Sequence, residues 1–345
     1  MWAVNIKENV SLAPHSTMRL GGNARYLAEV KSQTELQELV DWAHSNNTPM
    51  IMIGRGSNIV WRDEGFNGLV LVNKIMGREI INENDLTVTV KTYAGENWDE
   101  AVEWSVDKNL TGLEYMSLVP GTVGAAPVQN VGAYGGELAY TLLELEAYDT
   151  NLNSIIKLQN HECGFAYRSS RFKTTDKGRF LITSVTLNLK KSNPMPPFYE
   201  SLQKYLDEHS ISEYTPKTIR KAVIAIRQSK LPDPEKVANN GSFFTNPVIE
   251  QAQFDKLKQT YPDIKGWPTK EGKVKVAAGW LVEKAGFKDM HDEQTGMSTW
   301  PAQALVLVNE HARKTSDLLE FRQKIVFKVD ELFNIVLEQE PELLP

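Results

Sequence analysis

The segment Leu118-Val-Pro-Gly-Thr-Val-Gly-Ala-Ala-Pro-Val-Gln-Asn-Val-Gly-Ala-Tyr-Gly-Gly136 carries five glycines in its last sixteen residues, punctuated by Val119, Val123, Val128 and Val131. A solvent-exposed linker would be polar and aperiodic. Regular valines anchor this loop to a core, while the small residues let a ligand lie against backbone amides. A shorter loop, Gly54-Arg-Gly-Ser-Asn58, comes directly after the apolar run Pro49-Met-Ile-Met-Ile53, which reads as a buried strand. Amides in such a turn can converge on a phosphate. Ile59 replaces the third glycine of a dinucleotide fingerprint, no helix pattern follows, and the P-loop lysine is missing. On spacing alone, an ordinary Gly-Asn turn fits the shorter loop as well.

Outward from these loops the pattern is α+β. Thr34 to Asn46 has Leu36, Leu39, Val40 and Ala43 at helical spacing, with Thr34 and Gln37 as a capping box. Strands are expected at 68–72, 86–90, 142–148 and 180–189, and a helix at 98–106. Asn193-Pro-Met-Pro-Pro197 interrupts the pattern, because proline lacks an amide hydrogen and restricts its predecessor. Beyond it, helices are expected at 216–229, 248–260, 274–285 and 316–332, and strands at 304–309 and 333–337. The basic run from Lys217 to Lys230 reads as a solvated helix face.

Composition narrows the function classes. The 345 residues suffice for two or three domains, and with 41% hydrophobic and 24% charged residues the chain resembles an ordinary globular protein. A net charge of -6 argues against a general nucleic-acid binder. No apolar run is long enough to span a bilayer, and Met1 to Val10 lacks the apolar core of a secretory signal, so a cytoplasmic protein is expected. One cysteine, Cys163, permits no internal disulfide and reads as a small structural residue. The six histidines have no metal-ligand spacing, and no metal is expected.

In chain order, Gly54-Arg-Gly-Ser-Asn58, Pro120-Gly-Thr-Val-Gly-Ala-Ala-Pro127, Gln129-Asn-Val-Gly-Ala-Tyr-Gly135, Phe165-Ala-Tyr-Arg168, Lys230-Leu-Pro-Asp-Pro234, Gly241-Ser-Phe-Phe-Thr-Asn-Pro247, Ala278-Gly-Trp-Leu281 and Gln303-Ala-Leu-Val-Leu-Val-Asn309 are motifs covering nearly the whole chain. Together they resemble the signatures of the UDP-N-acetylenolpyruvoylglucosamine reductase family. The resemblance implies an α+β fold: a two-lobed FAD-binding domain of the vanillyl-alcohol-oxidase (PCMH) type over 15–192, with lobes near 1–75 and 76–192, and a smaller α+β substrate-binding domain over 231–332. A loop and helix at 193–230 would connect them, and a strand at 333–345 would carry a glutamate to the active site.

Noncovalent FAD is implied, lined by Ile53, Gly54, Arg55, Gly56, Ser57, Asn58 and Ile59. The longer loop would add Val119, Pro120, Gly121, Thr122, Val123, Gly124 and Ala125, then Gln129, Asn130, Gly132, Ala133, Tyr134 and Gly135. Thr17-Met-Arg-Leu-Gly-Gly22 resembles the family's N-terminal motif near the flavin. The implied reaction passes hydride from NADPH through the flavin to the enolpyruvyl group of a UDP-sugar, giving UDP-N-acetylmuramate for peptidoglycan synthesis. Hydride arriving at C3 leaves negative charge at C2, so the reaction needs an electrostatic stabiliser and a proton donor. Ser242 matches the family's donor and Arg168 its enolate-stabilising arginine. The terminal glutamate departs from the pattern, because Leu337-Glu-Gln-Glu-Pro-Glu342 has Gln339 where proline is usual. Ungapped register selects Glu340, and the Glu-Pro-Glu triplet selects Glu342; strand register favours Glu340.

Lys230, Asn246 and Gln303 match substrate positions, and Lys288 is a phosphate candidate. Tyr199 matches the covering tyrosine of the longer class, although Glu200 stands where glycine usually follows. The competing readings are a sugar or lactone oxidase of the same flavin fold and a flavin or nucleotide-sugar binding protein without catalysis. The oligomeric state is open, a monomer being one reading.

Overall fold

The computed structural model describes residues 4–345; Met1 to Ala3, part of the stretch read for a secretory signal, lie outside the described residues. The chain forms two compact units. Among the described residues the first comprises 4–10, 24–55 and 66–228, and the second 11–23, 56–65 and 229–345.

In the first unit, strands Asn23–Val30 and Met50–Ile53 both pair in parallel with Phe66–Asn73. Helix Gln33–Ser45 makes the crossover and buries Leu36, Leu39, Val40 and Ala43 against Leu69 and Leu71. Its cap is Ser32, whose side chain accepts from Glu35 N, rather than the expected Thr34. The second sheet of this unit has the order Ser154–Gln159, Leu142–Asp149, Phe180–Lys190, Thr87–Tyr93, Arg78–Glu83. Helix Trp98–Asp107 covers it, capped by Asn97, and packs Trp98, Val102 and Val106 onto Val88, Val90, Leu187 and Leu189. Each such fully buried side chain is worth ~2 kcal/mol of apolar transfer.

The second unit has a sheet ordered Ala238–Ser242, Gln303–Asn309, Met297–Trp300, His291–Asp292, and a three-stranded sheet ordered Val248–Ile249, Val274–Val276, Gly266–Pro268. Two expected helices begin late for this reason. Val248–Ile249 and Val274–Val276 pair with each other as strands, and the helices proper are Gln251–Thr260 and Ala278–Lys284. The expected strand at 333–337 is absent: helix Thr315–Phe333 runs through Phe333 and is ended by left-handed Asn334. The terminal strand is instead Glu342–Leu344, parallel to Ile59–Trp61. No helix among the described residues is long and apolar enough to cross a membrane.

Asp63 caps the 315–333 helix from far away in sequence. Its carboxylate accepts from Thr315 N at 2.6 Å and Ser316 N at 2.9 Å, while Thr315 Oγ1 donates to Trp61 O at 2.6 Å. Partial burial pushes the Asp63 carboxyl up, but the bonds from Ser316 and Thr315 outweigh it and hold the carboxyl below its ordinary value. Asp63→Ala is expected to cost about 1–2 kcal/mol. A depressed carboxyl contributes stability above its unfolded pKa of about 4 and loses that contribution as pH falls through the folded value. The deficit should therefore be full at pH 7 and shrink in acid. Amide hydrogen exchange of Thr315 and Ser316 checks this, and protection equal to that of the parent at pH 7 would count against the cap.

Candidate active site

In the first unit two glycine-bearing loops pack together at the end of a parallel strand. Ile53 pairs with Val72 and is buried, which delivers Gly54 beside Thr122. A β-carbon on Gly54 would collide with Thr122 Oγ1, and one on Gly124 with the Ala94 side chain. Val123 N and Gly124 N donate to Glu96 O and Ala94 O, each at 2.9 Å, while Gly121 O accepts from Trp98 N at 3.2 Å. The loop is thus pinned by its own amides. Thr122 is 4% exposed, and its hydroxyl has no hydrogen-bond partner among the described residues. A buried hydroxyl in that state costs about 1–3 kcal/mol unless an acceptor such as a phosphate oxygen meets it. Gly54 and Gly124 thus let the two loops pack closely, with the Thr122 hydroxyl between them as a donor that an anionic group such as the diphosphate of FAD would suit.

Farther along the loop, Asn130 is left-handed, with φ of 46°, and buried. Its side chain accepts from Ala139 N at 3.0 Å and donates to Glu137 at 2.9 Å and Ala166 O at 3.2 Å. That amide shapes the loop, and the Asn130 N–H closes it further by donating to Pro127 O at 3.3 Å. Gly132–Ala133 and Gly136–Glu137 then form a two-residue hairpin with Tyr134 at φ 48° and Gly135 at φ 86°. Two positive-φ residues are what such a turn requires. Val119, Ala125 and Gln129 are half-buried along the loop, and Pro120 is exposed.

Arg168 stands at the tip of a tight turn closed by Ala166 N to Ser169 O at 3.0 Å and Ser169 N to Ala166 O at 3.1 Å. Its φ of 51° is costly for a residue with a β-carbon and is held by that turn. A β-carbon on Gly132 would lie 3.3 Å from Arg168 Nη1, so the two family motifs meet. Tyr199, 50% exposed, sets its ring edge-on to Tyr134 at 6.1 Å.

Helix Pro216–Lys230 contains residues that sequence reasoning missed. It was expected to present a solvated basic face, yet Arg220 is 7% exposed and binds Asp99 through two bonds of 2.6 and 3.0 Å. Asp99 also accepts from Leu118 N at 2.6 Å, tying helix and loop together. Arg227 donates to Leu118 O at 3.2 Å and hydrogen-bonds Tyr134. Burial pushes the Arg227 guanidinium below its ordinary value; Tyr134 and Asp99 oppose this, and the like charge of Arg168 adds to it. The available signal was the seven-residue spacing of Arg220 and Arg227, which places both on one helical face.

The second unit holds the remaining candidates. A β-carbon on Gly56 would collide with His15 O, and Gly56 O accepts from Thr17 N at 3.1 Å. Ile59 O accepts from Ser16 Oγ at 2.7 Å, and Asn58 O from Glu342 N at 2.9 Å. Ser57 and Asn58 are half-buried; Arg55, at the end of the first unit's segment, is exposed.

Ser242 lies on a bulged strand. Asn239 pairs with Val308 and Ser242 with Val306, so three steps on one strand oppose two on the other. The extra residue requires Gly241 at φ 70°, and Gly241 N donates to Asn239 Oδ1 at 2.8 Å. A bulge changes which face the following side chain takes. Here it re-aims Ser242. Glu340 N donates to Phe243 O at 2.9 Å, and Phe244 bridges Gln339, so the terminal segment runs alongside the serine's own strand. Glu342 instead begins the pairing with Ile59.

Two substrate candidates converge on one helix start. Asn246 Oδ1 accepts from Ala278 N at 2.9 Å, and a β-carbon on Gly279 would lie 2.9 Å from Gln303 Oε1. Lys230 is exposed, and Lys288 pairs with Glu283 at 2.8 Å. Cys163 is buried, donates to Gln159 O at 3.4 Å, and has its thiol pushed up to about 12 by burial. Among the described residues no cluster of three or more His, Cys, Asp or Glu could hold a metal.

Comparison with known proteins follows the same division of the chain. Residues 24–156 match the model of an FAD binding domain, and 233–344 that of the C-terminal domain of UDP-N-acetylenolpyruvoylglucosamine reductase. The reductase of that name from Pseudomonas aeruginosa is 37% identical over 341 residues, covering 99% of both chains. The one from Flavobacterium johnsoniae is 38% identical over 342 residues, covering 99% of this chain and 100% of its own. A crystal structure of the Thermus caldophilus reductase superposes with a TM-score of 0.69 at 22% identity, over 99% of this chain and 100% of that one. The expected α+β architecture, an FAD-binding part followed by a smaller domain, agrees with these matches.

Proposed function

Because the chain belongs to the UDP-N-acetylenolpyruvoylglucosamine reductase family, we propose that it catalyses the NADPH-dependent, FAD-mediated reduction of UDP-N-acetylglucosamine enolpyruvate to UDP-N-acetylmuramate in peptidoglycan synthesis. It would act in the cytoplasm, where NADPH and nucleotide sugars are available. Bound FAD supplies a two-electron relay between NADPH and substrate. Ile53 to Ile59 and Val119 to Val123 would line its diphosphate, and Gly124 to Gly135 would run past the ribityl chain and ring.

The protein's own work follows from charge. With hydride at C3, C2 becomes carbanionic and its charge spreads into the carboxylate as an enolate. Arg168 stabilises that charge with a planar fork suited to a carboxylate. Ser242 donates the proton to C2; a serine hydroxyl can do this because a carbanion is a far stronger base than an alkoxide. Glu340 in its protonated form adds a second stabiliser, as an acid in a water-poor site can. Tyr199 covers the substrate, seated on Tyr134. Lys230, Asn246 and Gln303 contact the UDP-sugar, and Lys288 meets a phosphate after leaving Glu283.

The observation that carries this reading is the bulge at Asn240 and Gly241, which spends a left-handed glycine to re-aim one hydroxyl beside the terminal glutamate segment. The test is direct. The purified protein should show a flavin spectrum and oxidise NADPH in a manner dependent on the enolpyruvyl UDP-sugar. A colourless protein that FAD cannot reconstitute would sink the proposal, and a coloured one that uses oxygen on sugars would favour the oxidase reading.

A further inference from the structure

The turn that carries Arg168 lies outside every sheet of the first unit, as an isolated bridge between Ala166 and Ser169. Its internal bonds fix its shape, whereas its position is set by bonds that leave it at both ends. At one end Ala166 O accepts from Asn130 Nδ2 at 3.2 Å. At the other, Ser170 Oγ donates to Val128 O at 2.6 Å and accepts from Phe172 N at 3.2 Å. Val128 and Asn130 belong to the same glycine loop, so the turn is tied to that loop on both sides. Ser170 is 1% exposed, and water does not compete for bonds made at that depth. A side chain needed only to fill the space could be alanine; what serine adds is a hydroxyl that both donates and accepts.

The guanidinium is referred to the same frame. From its left-handed backbone the Arg168 side chain reaches Gly132, where a β-carbon would lie 3.3 Å from Nη1. The like charge of Arg227 repels it, so its place must be held from the backbone side. A long arginine side chain is a poorly aimed charge unless its root is fixed, and a misplacement of about 1 Å can cost 10²-fold in rate. We infer that Ser170 is a positioning residue for substrate reduction: its hydroxyl bolts the Arg168 turn to the glycine loop, so that the guanidinium keeps a fixed place relative to whatever that loop holds. This rests on the role given to Arg168 above. Ser170 itself touches neither substrate nor cofactor in this assignment and acts through the arginine alone.

The test uses the flavin-loaded protein and reads the two half-reactions apart, bleaching by NADPH and recolouring by the enolpyruvyl UDP-sugar. Ser170→Ala should slow substrate reduction by about 10–100-fold at saturating substrate and leave flavin reduction by NADPH within about twofold of the parent. Slowing alone does not name the route, so the same substitution is made in Arg168→Ala, which keeps its β-carbon and the backbone bonds of the turn. There Ser170→Ala should cost no more than about twofold further, because residues that act through one another are not additive. Ser170→Cys, similar in size but a weak donor, gives the same readout should the alanine chain not fold. An undiminished rate in Ser170→Ala, equal loss in both half-reactions, or the same cost with and without Arg168 overturns the assignment and leaves the role of Arg168 standing. Failure of both Ser170 variants to fold with flavin bound overturns it too, the serine then serving the fold alone. If Arg168→Ala reduces substrate as fast as the parent, or the parent does not reduce it at all, the proposed role of Arg168 falls and that of Ser170 with it.

Discussion

Ser242→Ala should leave flavin reduction by NADPH within about twofold of the parent and slow reduction of the enolpyruvyl substrate by about 10²–10⁴, the range associated with a positioned proton donor. The asymmetry follows from where charge develops. Nothing in the first half-reaction needs a proton at substrate C2, whereas the second cannot finish without one. The substitution removes one oxygen from a half-buried strand residue whose backbone stays paired with Val306, and the bulge is held by Gly241 and Asn239 rather than by Ser242. The variant should therefore fold and retain flavin. Stopped-flow bleaching of the flavin by NADPH, then recolouring by the UDP-sugar, separates the two steps. Equal loss in both steps from a flavin-loaded variant would remove Ser242 from the chemistry.

Much of the scaffold around that serine was legible because its signals are local. Leu36, Leu39, Val40 and Ala43 announced the first helix by period, and the spaced valines of Leu118 to Gly136 announced a loop anchored to a core, which Val123 and Val131 join and Val119 and Val128 pack against. Part of the glycine serves close packing of loop on loop: at Gly54 and Gly124 a β-carbon would meet Thr122 and Ala94. Less legible were features fixed by partners distant in the chain. Arg220 looks like solvated charge until Asp99, 121 residues away in sequence, is placed beside it. Ser11–Asn23 and Gly56–Gly65 gather with residues 229–345, an arrangement no contiguous division of the sequence expresses. Val248–Ile249 and Val274–Val276 continue the apolar pattern of the helices after them, and only their mutual pairing makes them strands. The bulge before Ser242 left a trace, Gly241, whose φ of 70° explains why glycine is needed.

The terminal glutamate is the second place where a large effect is expected. Glu340→Gln should slow substrate reduction by about 10²–10³ while leaving flavin reduction by NADPH unchanged, and Glu342→Gln should alter substrate reduction by no more than a few-fold. Glutamine preserves shape and most hydrogen bonding, but cannot become the protonated carboxylic acid assigned to the site. The two positions differ by two residues and by environment. Thr245 N donates to Glu338 O at 2.9 Å and Glu340 N to Phe243 O at 2.9 Å, so residues 338–340 are laced to the segment immediately after Ser242. Pro341 then intervenes, and Glu342 enters the parallel pair with Ile59, its amide bonded to Asn58 O. Glu342 is thus committed to the strand that closes the first glycine loop. A defect there should appear in FAD affinity before it appears in the rate of the second step. The reverse ranking, with Glu342→Gln the slow variant at saturating FAD, would show that the Glu-Pro-Glu triplet and not the ungapped register identifies the acid.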